Sequence, residues 1–218
     1  MDADLRVFAV DDDPAVLKAL ERMLRSHNIA LEGFTSSEAF LERPPYEGVA
    51  CLLLDLQMPG LSGLDVQHVL RGRALSMPIV FLSAQSDVRA AARAMRDGAL
   101  DFLVKPVEEE QLLDAIERAR AQSASAHQQQ RLERDAEARL ARLTRREIEV
   151  CELVAAGLLN KQIAHELGMS EKTVKVHRGR ATRKLDVDSV AALVRLLSNL
   201  PKKRSRVSTS NSQLPTPK

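Results

Sequence analysis

Five strand-then-helix units fill the first 120 residues, each a short apolar run and then a stretch with helical spacing of apolar positions, with no internal sequence repeat. The runs lie at 5–10, 29–34, 49–54, 79–83 and 100–104, and the helical patterns near 14–27, 36–42, 63–73, 86–97 and 108–121. Runs that are apolar along their whole length, and do not alternate, belong to strands buried on both faces. Burial on both faces requires helices on each side of a parallel sheet. The expected fold class is therefore α/β, a doubly wound five-stranded parallel sheet. In such a sheet ligand chemistry gathers beyond the carboxyl ends of the strands.

The rest of the chain is of another kind. Residues 1–120 carry 13 Lys and Arg against 20 Asp and Glu, a balance of −7, whereas residues 121–218 carry 19 against 10, a balance of +9. The overall +2 thus hides an acidic front and a basic back, which points to a different partner for each and to nucleic acid for the basic part. Residues 144–200 read as an all-α unit of four helices, and a length of 218 residues suits two cores. The expected organisation is an α/β domain at 4–121, a helical linker at 122–142, a helical domain at 143–200 and a disordered basic tail at 201–218. For the linker, a solvated spacer and a coiled dimerisation segment are both open.

No apolar run approaches the roughly 18–20 residues of a membrane helix, and 28% charged residues argues against a membrane protein. The acidic start Met1-Asp2-Ala3-Asp4 is unlike a leader peptide, so a cytoplasmic protein is expected. Cys51 and Cys151 sit in apolar runs of different domains and read as buried free thiols of a reducing compartment.

Residues with chemistry stand at the strand ends. The first run ends Val10-Asp11-Asp12-Asp13-Pro14, the third Leu54-Asp55 before Leu56-Gln57-Met58-Pro59-Gly60, the fourth Leu82-Ser83-Ala84 and the fifth Val104-Lys105-Pro106. A parallel sheet brings these ends to one edge, where several carboxylates meet one hydroxyl and one ammonium. Crowded carboxylates need a cation, and an all-oxygen set suits a hard ion such as Mg²⁺ (or Mn²⁺). Lys105 and Ser83 can grip phosphoryl oxygens, with Asp55 as the carboxylate nucleophile. Asp13 before Pro14 is explained as a helix N-cap and is left out of the site.

This set of Val-Asp-Asp, Asp-x-x-Met-Pro-Gly, Ser-Ala and Lys-Pro resembles the receiver domain of two-component response regulators, which are flavodoxin-like, over essentially all of residues 4–121. The resemblance implies that Asp55 is the phosphoacceptor and that Asp11, Asp12, Asp55 and the Gln57 main-chain carbonyl bind Mg²⁺. It further implies that Ser83 and Phe102 are a switch pair, and that the Lys105–Pro106 bond is cis. For Phe102, core packing alone is an equal explanation. Phosphoesterases of the haloacid dehalogenase type use a similar kit, with a second Asp two residues after the nucleophile as proton donor. Gln57 occupies that place and transfers no proton, so a switch is expected and not an enzyme.

In the basic part, Thr144-Arg145-Arg146-Glu147 is a capping-box pattern and Gly157 a stop signal. Asn160 is read as the cap of a short helix at 161–167, Gly168 as the turn, Ser170 as the cap of the next helix and Ser189 as the cap of a fourth that runs through Leu200. The string Asn160-Lys161-Gln162-Ile163-Ala164, Leu167-Gly168-Met169-Ser170 and Thr173-Val174-Lys175-Val176-His177 resembles the LuxR-type helix-turn-helix over roughly 140–200. A receiver followed by this module resembles the NarL/FixJ class, FixJ-like members most.

The candidate DNA contacts are Lys161, Lys172, Thr173, Lys175, Val176, Arg178 and Arg183. Lys175 and Val176 fall early on the second helix, within reach of base edges. Lys161 and Lys172 suit phosphates, while Ile163, Leu167, Val174 and His177 read as packing residues. Some members of that family carry a Lys four residues after the place of Lys175; this chain has Gly179. A smaller footprint, a water-mediated contact and a close approach of backbone to DNA are all open.

The function expected from this resemblance is a regulator phosphorylated at Asp55 by a sensor histidine kinase. Phosphorylation would control sequence-specific binding to duplex promoter DNA and transcription, in the direction of activation. A homodimer on phosphorylation and RNA polymerase are further candidate partners. The alternative is a phosphorylation-independent DNA-binding regulator whose receiver is a docking or dimerisation module.

Overall fold

Five strands, β1 (Arg6–Val10), β2 (Ala30–Phe34), β3 (Ala50–Asp55), β4 (Ile79–Ser83) and β5 (Asp101–Val104), lie parallel in the order β2-β1-β3-β4-β5. They belong to a computed structural model of the chain that describes residues 5–72, 77–84 and 88–200. The expected tail at 201–218, Asp4, residue 73 and residues 86–87 lie outside the described residues. The chain divides into two compact units between Gln128 and Gln129.

In the first unit, alternate residues of the central strands feed two cores. Val7, Ala9, Cys51, Leu53, Val80 and Leu82 pack with α1 (Pro14–Arg25) and α5 (Glu109–Leu140) on one face. Phe8, Val10, Leu52, Leu54, Ile79 and Phe81 pack with α2 (Ser37–Glu42), α3 (Gly63–Gly72) and α4 (Val88–Arg96) on the other. Every residue of β3 and β4 is buried, which is why their sequences do not alternate. The strand β2, by contrast, stands at the sheet edge and is mostly exposed. The thiols fit the expectation: Cys51 and Cys151 are free and buried, and burial pushes them up to about 12 and about 11.

The helix α5 runs for 32 residues, from the expected fifth helix of the first unit into the segment 122–142 without a break. Ser123 is buried, and its Oγ accepts from the main-chain N–H of Ala50 at 3.0 Å. The His127 ring hydrogen-bonds to the Glu47 carbonyl. Both contacts hold α5 against the start of β3.

In the second unit, the last turns of α5 and the helices α6 (Arg145–Ala155), α7 (Asn160–Leu167), α8 (Glu171–Leu185) and α9 (Val190–Ser198) share one core that includes Ala136, Val150, Ile163, Val174, Leu185 and Leu193. Thr144 and Glu147 form the expected capping box, Ser170 and Ser189 cap α8 and α9, and Gly168 takes a left-handed φ of 63° after α7. One cap differs. Leu159 occupies the N-cap of α7 and its N–H donates to Gln162 Oε1 at 2.8 Å, so Asn160 lies inside the first turn. With the Gln162 side chain satisfying that donor, the Asn160 side chain is free to accept from Arg178 Nη1 at 3.3 Å.

Glu147 also ties this unit together. It is buried and accepts from Lys184 Nζ at 2.7 Å and from the Thr144 N–H at 2.8 Å. The Lys184 hydrogen bond first, and the Thr144 N–H next, hold its carboxyl down at about 2. A folded-state value below the unfolded one means stabilisation that is complete above the ordinary glutamate range and is lost as pH falls through it toward 2. The thermal midpoint of this unit is expected to drop between pH 5 and pH 2, a dependence that Glu147→Gln flattens. Thr144→Ala is expected to cost about 1 kcal/mol at neutral pH. Melting curves followed by far-ultraviolet circular dichroism check both.

Candidate functional site

The strand order reverses direction between β1 and β3, the place where a crevice opens in doubly wound sheets. Asp11 follows the last residue of β1, and Asp55 is the last residue of β3. Their neighbours in register are apolar (Val10 opposite Leu54, and Asp55 opposite Leu82), so both carboxylates emerge from a hydrophobic sheet with almost no water. Asp11 is 2% and Asp55 5% exposed, whereas Asp12 is open to solvent. One oxygen from each of Asp11, Asp12 and Asp55 lies within 4.8 Å of the others. An all-carboxylate set with one open side is of the kind that hard divalent cations take.

Lys105 follows β5 on the same edge, and the cis Lys105–Pro106 bond expected from the sequence is present. Its N–H donates to the Ser83 carbonyl at 2.7 Å. Its ammonium donates to Asp11 Oδ2 at 2.5 Å and to Asp55 Oδ1 at 2.8 Å. Burial disfavours the charge on Lys105, but the bonds to the two carboxylates outweigh it and raise its pKa. Burial likewise lifts the Asp55 carboxyl above the usual aspartate range, against the pull of Lys105 and with a further push from Asp11. The Gln57 N–H donates to Asp55 Oδ2 at 3.2 Å, which fixes the loop after β3 beside the carboxylate.

The two expected switch residues lie on β4 and β5. Ser83, the last residue of β4, is buried. Phe102 is half-buried on β5, with its ring 6.5 Å from the Phe81 ring at the margin of the second core. Asp13 caps α1 through Oδ1 and the Ala15 N–H at 2.8 Å, as expected. Its own N–H also donates to Asp11 Oδ1 at 3.0 Å, a positioning role that its side chain does not reveal. Gly63, which no sequence signal singled out, opens α3 directly beneath Asp55. A Cβ there would fall on the Asp55 main-chain carbonyl oxygen and lie 3.0 Å from the Phe81 ring, so this position demands glycine. The loop Pro59-Gly60-Leu61-Ser62-Gly63 was the available clue.

In the second unit, α8 buries Val174, Ala181 and Leu185 and exposes Lys172, Lys175, Val176, Arg180 and Arg183. These exposed positions recur every three or four residues and make one basic face. Thr173 is exposed, but its hydroxyl pairs with Ser170 Oγ at 2.8 Å in the cap. Arg178 is half-buried and held by Asn160. Lys161 is exposed on α7. Ile163 and Val174 are fully buried and Leu167 and His177 half-buried, consistent with packing. Lys184, on the flank of α8, serves Glu147.

Comparison with known proteins covers both units. Residues 7–117 match the response regulator receiver domain, and residues 141–197 match the luxR family of bacterial regulatory proteins. Response regulator protein TodT of Pseudomonas putida is 41% identical over 198 residues, which span 89% of this chain and 86% of that protein. Transcriptional regulatory protein FixJ of Azorhizobium caulinodans is 35% identical over 196 residues, spanning 90% and 93%. The solved structure of response regulator StyR superposes with a TM-score of 0.81 at 44% identity, over 90% of this chain and 99% of that one. Among the described residues, no helix is long and apolar enough to cross a membrane.

Lys105→Met leaves two buried carboxylates facing each other without a cation. In metal-free buffer at pH 7.5 the receiver unit is expected to lose about 3 kcal/mol. Lowering the pH to 5 restores part of it, because protonation removes the repelling charge. Thermal melts of wild type and variant at the two pH values check this.

Proposed function

The chain belongs to the NarL/FixJ class of response regulators, and on that premise we propose that phosphorylation of Asp55 by a sensor histidine kinase controls its binding to specific promoter DNA. The observation that supports this most is the Lys105 ammonium held between Asp11 and Asp55 in one buried pocket. A carboxylate with a cation at 2.8 Å and an open, acidic flank at Asp12 supports a reading in which Asp55 takes up a phosphoryl group and the new charge is offset.

In the transfer, the N–P bond of a phosphohistidine breaks as an Asp55 carboxylate oxygen bonds to phosphorus. The imidazole leaves with the electron pair and takes up a proton. Asp11, Asp12, Asp55 and the Gln57 main-chain carbonyl would hold a divalent cation, Mg²⁺ or Mn²⁺, which supplies charge neutralisation for the phosphoryl oxygens. Lys105 keeps its ammonium beside the modified Asp55 and binds one phosphoryl oxygen. Ser83, next along the edge, binds another, and Phe102 at the core margin follows the rearrangement of Ser83 as its switch partner.

The readout is α8, whose basic face enters the major groove. Lys175 and Val176 meet base edges there. Lys161, Lys172 and Arg183 lie against phosphates. Thr173, through the cap, and Arg178, through Asn160, set the height and tilt of the helix while bordering the DNA. A phosphorylation-dependent homodimer and contact with RNA polymerase complete the reading, with activation of transcription as its outcome.

The full chain incubated with Mg²⁺ and a small phosphodonor is expected to take up one phosphoryl group and to bind its promoter at least about fivefold more tightly. Asp55→Asn loses both effects. Labelling with unchanged DNA affinity would instead make the receiver a docking module, and rapid multiple turnover would indicate a phosphatase. Lys161→Ala is expected to lower the salt slope of binding by about 0.9 with the sequence preference intact, as read by binding isotherms at several salt concentrations.

A further inference from the structure

Gly179 stands in the middle of α8, a 15-residue helix, where glycine is among the poorest residues for helix stability. Two internal reasons for a glycine are absent. It does not belong to the positive-φ glycines, and a Cβ added there would meet nothing within 4 Å. The contrast with Gly63, where a Cβ would strike the backbone of Asp55, is direct. Within the described residues, therefore, nothing in the fold itself requires Gly179.

Its position on the helix does point outward. Gly179 lies seven residues after Lys172, four after Lys175, three after Val176 and four before Arg183, all of them exposed. It is thus the centre of the basic face. On the side toward α9, Gly179 borders two adjoining hollows of about 400 and 470 Å³, one reaching Lys175 and the other Arg183, and both also lined by Thr182, Val187 and Asp188.

We propose that Gly179 is the point at which the α8 backbone comes closest to duplex DNA, with the sugar–phosphate wall of the major groove packed on its Cα. Lys175 and Arg183, one turn to either side, then flank that contact with positive charge. The missing side chain lets the helix sit deeper than a side chain would permit, and this depth brings Lys175 and Val176 to the base edges. The inference rests on the reading of α8 as the helix that enters the groove, and it selects close backbone approach over a smaller footprint or a water-mediated contact.

The test uses the full chain, phosphorylated with a small phosphodonor, and a duplex selected by the wild type from a random-sequence pool. Gly179→Ala is expected to raise the thermal midpoint of the helical unit yet weaken binding to the selected duplex at least tenfold. Gly179→Lys, which adds a cation, is expected to weaken it further. A smaller footprint predicts the reverse: Ala tolerated and Lys tightening. Unchanged or tighter binding by either variant overturns the inference while the proposed function stands. If the wild type enriches no duplex, the proposed function fails and the inference with it.

Discussion

One ammonium holds the pocket of the receiver together. Lys105 reaches from the end of β5 to two carboxylates that the sheet has nearly sealed from water, and its charge opposes the burial that raises the Asp55 carboxyl above the usual aspartate range. In the proposed function, a phosphoryl group on Asp55 changes the charge that Lys105 faces, and the lysine is tied through its own N–H to the Ser83 carbonyl. Structural neutralisation and the proposed chemistry then draw on the same few atoms.

How much of this the sequence discloses depends on the range of the forces involved. The sheet was legible because strands buried on both faces must be apolar throughout, a local signal. The meeting of Asp11, Asp55 and Lys105 was legible because each stands at the end of an apolar run, and a parallel sheet gathers such ends. Caps were legible where one side chain settles them, as with Thr144, Ser170 and Ser189. The cap of α7 was not, since Gln162 from within the helix satisfies the donor of Leu159 and leaves Asn160 for Arg178.

Contacts set by distant partners left no local trace. Gln122-Ser123-Ala124-Ser125 reads as polar spacer, yet the Ser123 hydroxyl is buried because it answers an N–H of Ala50, 73 residues away. Lys184 looks like one more charge on a basic helix until Glu147 is seen beneath it. Gly63 is unremarked among loop glycines because its constraint is a carbonyl of another element. In each case periodicity reports which face is covered, but not by what.

The bond between Ser123 and Ala50 also bears on where this chain can be cut. The strand β3 begins at the N–H that Ser123 receives and ends at Asp55. A receiver fragment terminated at residue 121 would lose the hydroxyl that answers this N–H and the turn of helix that covers it. The compact unit that carries Asp55 runs on to Gln128, well inside a helix, past the point where the polar stretch of sequence begins.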